Sequence, residues 1–422
     1  MSLSPITKLL VLCGVTVSFI GMTARAEETN RPPNSWQSAA TGSSLSMTVL
    51  EPASMRGDAP LPLIIYLKNL AGPRIGSEAD ETIIADMRAA GHLVAVLDYA
   101  RHPKSRVPFI NRDLGRLRDD LRAKRILAGQ NIDEAHIFIV PEGCRLRRDV
   151  TFHVETDRTL AMDIIYPSRP EHPVGAVMEF SCDNQNRFGN TSLSICSDTI
   201  LDGLATLGFA VAMADHPVAS PYKGLDPMPD SARKLKAAVR TLRAQSAALG
   251  LNGRIAPVGF SRGSGMALML VTTDGLPEFE GYGEHTNVSS SVQGAVVMSG
   301  RFTYLDLLPG DKMLPRYETA WGGREANVGV WRSQGALDYL IKPAVPLFLT
   351  INCTEGPDAL HQMDVLRKRL TELGSEHTYQ LDPEERGHKV TLDPGILDAM
   401  NKYLKQRLDG SLAHPQPTPD NR

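Results

Sequence analysis

Apolar runs along this chain alternate with amphipathic stretches, and the alternation sorts them into strands and helices. Leu63-Ile64-Ile65-Tyr66-Leu67 is apolar at every position, the pattern of a strand buried on both faces. Residues 82–90 carry apolar positions at helical spacing and stop at Gly91, and residues 92–98 return to a strand. Residues 113–127 read as an Arg-rich helix and residues 136–140 as a further short strand. The order is βαβαβ, which predicts a parallel sheet with helices on its faces. The same order recurs as strand 175–180, helix 198–207 ended by Gly208, strand 209–215, helix 234–248 and strand 254–259. Between the blocks, residues 149–154 and 159–167 alternate as an antiparallel strand pair across the polar link Glu155-Thr156-Asp157-Arg158, so a boundary is expected at 146–148.

The two blocks overlay at one offset. Moving residues 82–98 by 117 positions sets Thr82-Ile83 on Thr199-Ile200, Gly91 on Gly208, Val94-Ala95 on Val211-Ala212 and Asp98 on Asp215, six identities in 17 positions. A duplicated half-domain accounts for this, and convergent βαβ patterning does so equally well.

The N-terminus follows a different rule. Lys8 precedes an apolar run over residues 9–21, followed by Ala24-Arg25-Ala26 and then Glu27-Glu28. These are the parts of a cleaved secretory signal over residues 1–26, so an exported protein, periplasmic or extracellular, is expected. The run is shorter than the roughly 20 residues that span a bilayer, and no stable membrane anchor is expected. Cleavage removes Cys13 and leaves Cys144, Cys182, Cys196 and Cys353. Cys182 and Cys196 flank one polar loop and are the first candidates for a disulfide, with buried free thiols the equal alternative. The tail 411–422, rich in Pro and polar residues, is expected to be disordered.

Composition then removes function classes. Among 422 residues, 45 Lys+Arg stand against 48 Asp+Glu, for a formal net charge of −3. With no basic excess, nucleic acid is not a default partner. Five Cys are too sparse for a disulfide scaffold. No spacing of the H-E-x-x-H or paired C-x-x-C kind is present, so neither metal nor cofactor is expected. Oligomeric state cannot be read from these features.

One motif carries chemistry. Gly259-Phe260-Ser261-Arg262-Gly263 matches G-x-S-x-G, with the apolar strand before it and a helical run from Gly265 after it. A nucleophile on a strand-to-helix elbow sits in strained backbone, which needs small neighbours, and Gly259 and Gly263 supply them. A serine nucleophile needs a base and an acid, in the chain order Ser, acid, His. Of the downstream histidines, His388 sits in a polar loop between strand 378–381 and the final helix 396–408. His285, His361, His377 and His414 occupy positions without that context. The acid belongs on the loop after strand 346–351, where Glu355 and Asp358 compete and Asp364 is a more distant option. The two oxyanion donors are expected at Arg262 N–H and at Ser181 or Cys182.

From residue 149 to about 408 the chain resembles the α/β-hydrolase family, in its secreted esterase and prolyl-oligopeptidase-like branch. The resemblance rests on the strand pair ending in Tyr166-Pro167, the elbow 259–263, the run Val345-Pro346-Leu347-Phe348-Leu349 and the loop His388. It implies an acid nine residues after the strand's opening Pro346, which is Glu355. There are departures: Phe180-Ser181-Cys182-Asp183 replaces the usual His-Gly, Asn352 stands where a Gly is expected, and the loop 183–197 matches no subfamily. The elbow's counterpart in the first block, at the offset of 117, is Gly143-Cys144-Arg145, and that block reads as non-catalytic. Residues 301–340, with Trp321-Gly322-Gly323 and Trp331, read as a cap insertion; aromatic rings in a cap can stack on sugars, but two tryptophans are more often core.

The division expected is therefore a signal peptide (1–26), an N-terminal α/β block (27–147), an α/β-hydrolase catalytic domain (148–410) and a tail (411–422). The function expected is an exported serine hydrolase acting on a small-molecule or carbohydrate ester through an acyl-enzyme. Two rivals stand beside it: a serine peptidase of the prolyl-oligopeptidase type, and a binding protein with a vestigial elbow.

Overall fold

The computed structural model describes residues 35–54, 57–72, 74–105, 110–156, 158–180, 208–215, 228–389 and 393–410. The signal region, the expected helix 198–207, the loop 183–197, Ser181, Cys182, Cys196, His414 and the tail lie outside the described residues.

Two sheets stand in sequence. The first joins β1 (Ser35–Gln37), β2 (Ser44–Leu50), β3 (Leu61–Lys68), β4 (Leu93–Asp98) and β5 (Ile132–Pro141) in the order β1-β2-β4-β3-β5. The second joins β6 (Cys144–Val154), β7 (Thr159–Pro167), β8 (Val174–Phe180), β9 (Ala210–Ala214), β10 (Leu251–Phe260), β11 (Ala295–Met298), β12 (Leu347–Asn352) and β13 (His377–Asp382) in the order β13-β12-β11-β10-β8-β9-β7-β6. Every pairing among β8 to β13 is parallel, while β7 is antiparallel to both β9 and β6. The class is α/β.

The first five strands and the next five follow one plan. β1 and β2 are antiparallel, β2 is antiparallel to β4, and β3 is parallel to both β4 and β5. The same senses and order hold for β6, β7, β9, β8 and β10. The left-handed glycines that end the paired segments also match, Gly91 at φ 90° and Gly208 at φ 92°. Among the described residues, what β11 to β13 extend in the second sheet has no equivalent beyond β5 in the first.

Apolar runs without polar interruption are what a strand covered on both sides requires. In β3, Ile64 and Tyr66 face one cluster while Leu63, Ile65 and Leu67 face another. In β8, Val177 faces the first of these clusters and Ala176, Met178 and Phe180 turn the other way, onto α3 (Met228–Ala244) and α4 (Arg262–Thr272). The cluster holding Ile64, Tyr66 and Val140 of the first sheet also holds Ile165, Val177, Val211 and Val258 of the second. Between them lie Ile83, Ile84 and Met87 of α1 (Asp80–Ala89) and Met400, Tyr403 and Leu404 of α8 (Pro394–Leu408). The last helix is opened by Asp393, whose carboxylate accepts from Gly395 and Ile396 N–H, with Pro394 at its first position.

The change from the first sheet to the second falls between β5 and β6. β6 begins at Cys144, just after β5 ends at Pro141, so the chain passes between sheets through Glu142-Gly143 alone. Residues 75–80 are stitched across this point. Ser168 N–H donates to Gly143 O (2.8 Å), Ser77 N–H donates to Ser168 O (3.0 Å), and Arg145 Nε donates to Glu78 (2.7 Å). The bonds from Arg145 and from the Ser168 hydroxyl outweigh burial and hold the Glu78 carboxyl down to about 2.

A side chain at Gly76 has no room here. Its Cβ would lie 2.0 Å from Gly143 O and 2.7 Å from Ser168 O, all backbone. Gly76→Ala is expected to destabilise the whole protein by about 1–3 kcal/mol, as overpacking against rigid neighbours does. Urea unfolding followed by tryptophan fluorescence reads this; an unchanged midpoint would show that the two sheets separate freely at this point.

Candidate active site

Parallel strands present their C-terminal ends at one edge, and β10 sits among them between β8 and β11. Its last residue, Phe260, is followed by Ser261 and then at once by α4. The turn is possible because Ser261 adopts φ 56° and ψ −118°. Its N–H donates to Met298 O on β11 (2.8 Å) and its carbonyl accepts from Ser264 N–H and the Ser264 hydroxyl. At Gly259 a Cβ would fall 2.1 Å from Gly263 O, so the reversal of chain direction demands glycine there. Gly300 gives the second clearance, since a Cβ would lie 1.8 Å from Ser264 Oγ and 2.7 Å from Ser261 O.

His388 meets this serine. Its Nε2 lies 2.8 Å from Ser261 Oγ, and its Nδ1 lies 2.9 and 3.0 Å from the two carboxylate oxygens of Glu355. The imidazole leans on the Phe260 ring with centroids 4.8 Å apart. Glu355 is buried, and burial pushes its carboxyl up; the His388 hydrogen bond and charge, Gly356 N–H and the Ser299 hydroxyl outweigh this, so it is held below the ordinary glutamate range. Glu355 is therefore ionised at neutral pH. A carboxylate–imidazole–hydroxyl line of these lengths can deprotonate the hydroxyl as it attacks and return the proton later.

Of the two carboxylates the sequence leaves in competition, Glu355 reaches His388 and Asp358 does not. Asp358 lies on the first turn of α7 (Pro357–Glu372) and faces Arg301 NH2 at 3.6 Å. Asp364 also lies on α7, further along the helix and paired with Arg367. Arg262 opens α4 directly after Ser261, and Gly263 is buried beneath the turn. Of the other histidines, His361 pairs with Asp306 (3.0 Å), His377 contacts Ser375 O (2.9 Å) and His285 is exposed.

Two residues beside the acid escaped the sequence reading. Ser299, at the end of β11 with φ 47°, bonds Glu355 through its hydroxyl. Asn352, the departure from the family pattern, is buried between the acid loop and the histidine loop. No local pattern marks Ser299; the mismatch at Asn352 was the available signal.

The segment between β11 and β12 carries α5 (Leu314–Trp321) and α6 (Val328–Gln334). Of the two readings of its tryptophans, core or sugar-stacking faces, the packing bears out core. Trp331 is fully buried and donates through Nε1 to Gly322 O (3.0 Å), while Trp321 stacks on Tyr317 at 5.0 Å. With Tyr304 they form the segment's own core. It is moored near the elbow by Arg301, which bonds Asp311 at 2.8 Å and lies over the Tyr317 ring.

The first sheet has a corresponding edge, differently filled. Strand register pairs Pro141 with Leu67 as it pairs Gly259 with Phe180, which sets Gly143 opposite Ser261 rather than Cys144. Both carry positive φ, 75° at Gly143 and 56° at Ser261. Cys144 is a buried free thiol, pushed up to about 12 by burial, and cannot serve as a nucleophile. The backbone N–H groups of Asn69 and Leu70, on the loop after β3, both donate to the Glu142 carboxylate (3.2 and 2.9 Å).

No family model and no curated protein matches the chain. Solved structures do. One, described as a truncated form of carbohydrate esterase from gut microbiota, is 16% identical with a TM-score of 0.52, covering 62% of this chain and 95% of that one. Another, a bifunctional GH43-CE protein of Bacteroides eggerthii, is 19% identical with a TM-score of 0.52, covering 62% of this chain and 38% of that one. At these identities the likeness is one of fold.

Proposed function

We propose that this chain is an exported serine hydrolase of the α/β-hydrolase kind that cleaves carboxylic esters, with acyl groups on carbohydrates as its substrate class. The observation that carries the reading is the unbroken line from Ser261 Oγ through the His388 imidazole to Glu355. Ser261 attacks the ester carbonyl while His388 Nε2 takes its proton. Glu355 fixes the tautomer through Nδ1 and stabilises the imidazolium without becoming protonated. Arg262 N–H and the positive end of α4 face the developing oxyanion, with Ser181 or Cys182 as the second donor. The alcohol leaves with the proton from His388. Water then enters by the same path in reverse and frees the carboxylate. The carbohydrate assignment draws on the two neighbours named above, and export on the run over residues 9–21. The α/β construction of the first sheet, in place of repeated all-β blades, counts against the peptidase rival.

A fluorophosphonate is expected to label the wild-type protein and not Ser261→Ala; absence of label on both would support a vestigial elbow. With p-nitrophenyl acetate, Glu355→Gln is expected to lower kcat by about 10³–10⁴-fold through the wrong imidazole tautomer, whereas Asp358→Asn stays close to wild type. Equal losses at both positions would remove Glu355 from the role. Because Glu355 stays ionised below its ordinary range, kcat/KM should rise with pH through a single acid limb set by His388, which acts in its neutral form. Two acid limbs would contradict this. Acetylated sugars are expected to turn over and dipeptidyl amides not; the reverse would favour the peptidase.

A further inference from the structure

Resting on the serine-hydrolase reading above, we infer that Asn352 is a positioning residue: its side-chain amide ties the acid loop to the histidine loop and so sets the Glu355–His388 contact. β12 and β13 pair in parallel from Leu347–His377 to Asn352–Asp382, and Cys353 N–H adds one more bond to Asp382 O (2.9 Å). There the sheet ends, with Glu355 and His388 still to be placed on two diverging loops. Asn352, 3% exposed, continues the cross-link by side chain. Its Oδ1 accepts Thr354 N–H (3.0 Å) and the Thr354 hydroxyl (2.7 Å) from the acid loop. The same oxygen accepts Arg386 N–H (3.3 Å) and Gly387 N–H (3.1 Å) from the histidine loop, while Nδ2 donates to Glu384 O. The Thr354 hydroxyl closes the circuit by accepting from Gly387 N–H at 3.0 Å.

The bonds bracket the chemistry closely. Thr354 immediately precedes Glu355 and Gly387 immediately precedes His388. Only a side chain with both an acceptor and a donor completes the set, because Glu384 O accepts where the four other partners donate. Glycine, which the family pattern would put here, offers neither. An aspartate keeps the acceptor, loses the donor to Glu384 O, and adds charge near Glu355.

The test uses the whole mature protein, p-nitrophenyl acetate, and fluorophosphonate titration to count competent serines. Asn352→Ala is expected to lower kcat per labelled site by about 100-fold, the scale of an ångström-sized misplacement, with KM little changed. The downfield proton resonance expected of the His388 Nδ1–H in the wild type should broaden or vanish in the variant. Asn352→Asp, which keeps the acceptor and loses the donor, should recover only part of the lost kcat. Wild-type kcat per labelled site in Asn352→Ala, with the resonance intact, would overturn the proposal even if its melting temperature fell, since a merely structural amide would do just that. If Asn352→Ala does not fold, Thr354→Val removes only the hydroxyl link: a smaller loss in kcat at constant KM supports the proposal, and unchanged kcat overturns it. A wild type that takes up no fluorophosphonate fails the underlying hydrolase reading instead, so the two failures are told apart.

Discussion

The active edge of the larger sheet depends on one backbone conformation, that of Ser261. A non-glycine residue in such a conformation costs on the order of 1–3 kcal/mol and persists only where its surroundings over-determine it. Here they do. β10 is held on both sides by β8 and β11, the serine's N–H is bound to Met298 O, and α4 begins on the next residue with its apolar face in the main core. Gly259 and Gly300 matter because they let backbone approach backbone at the reversal. The hydroxyl then projects beyond the strand end, where a histidine from a loop 127 positions away can meet it.

How far this could be read in advance follows from the range of each interaction. Strands such as β3, β10 and β12 are legible because burial on both faces leaves uninterrupted apolar runs. The elbow is legible because its requirements fall within five consecutive residues. Choosing Glu355 over Asp358 required the resemblance, since the two stand three residues apart after β12 and only tertiary placement turns Asp358 toward Arg301. Ser299 and Asn352 were harder still. Their partners lie on separate segments that meet only through β11, β12 and β13, and an isolated serine or asparagine carries no spacing that announces this. For the tryptophans of residues 301–340, residue type left core and sugar contact both open, and packing among themselves decides for core. β1 and β2, short and polar on one face, leave a weaker trace than the inner strands.

The two sheets also show how one strand plan leads to different ends. In the second, the position after β10 is a serine whose hydroxyl lies within hydrogen-bond distance of His388 Nε2. In the first, the matching position is a glycine, and the preceding Glu142 turns its carboxylate onto the amides of Asn69 and Leu70. Amides at such a loop attract negative charge. The first sheet satisfies them from within its own chain, with Arg74 near the same carboxylate at 3.6 Å. Its edge is thereby closed to an outside anion and becomes part of the framework.

The passage between sheets has a consequence for how this protein can change over evolutionary time. Multidomain enzymes are commonly assembled from modules joined by tethers, and such modules can be shed or exchanged. Here only Glu142 and Gly143 separate β5 from β6, and Ile165, Val177, Val211 and Val258 share one apolar cluster with Ile64, Tyr66 and Val140. Excision of the front sheet would bare that apolar surface, an invitation to self-association. The front sheet is heritable only together with the part that bears the serine, and the two must vary as one.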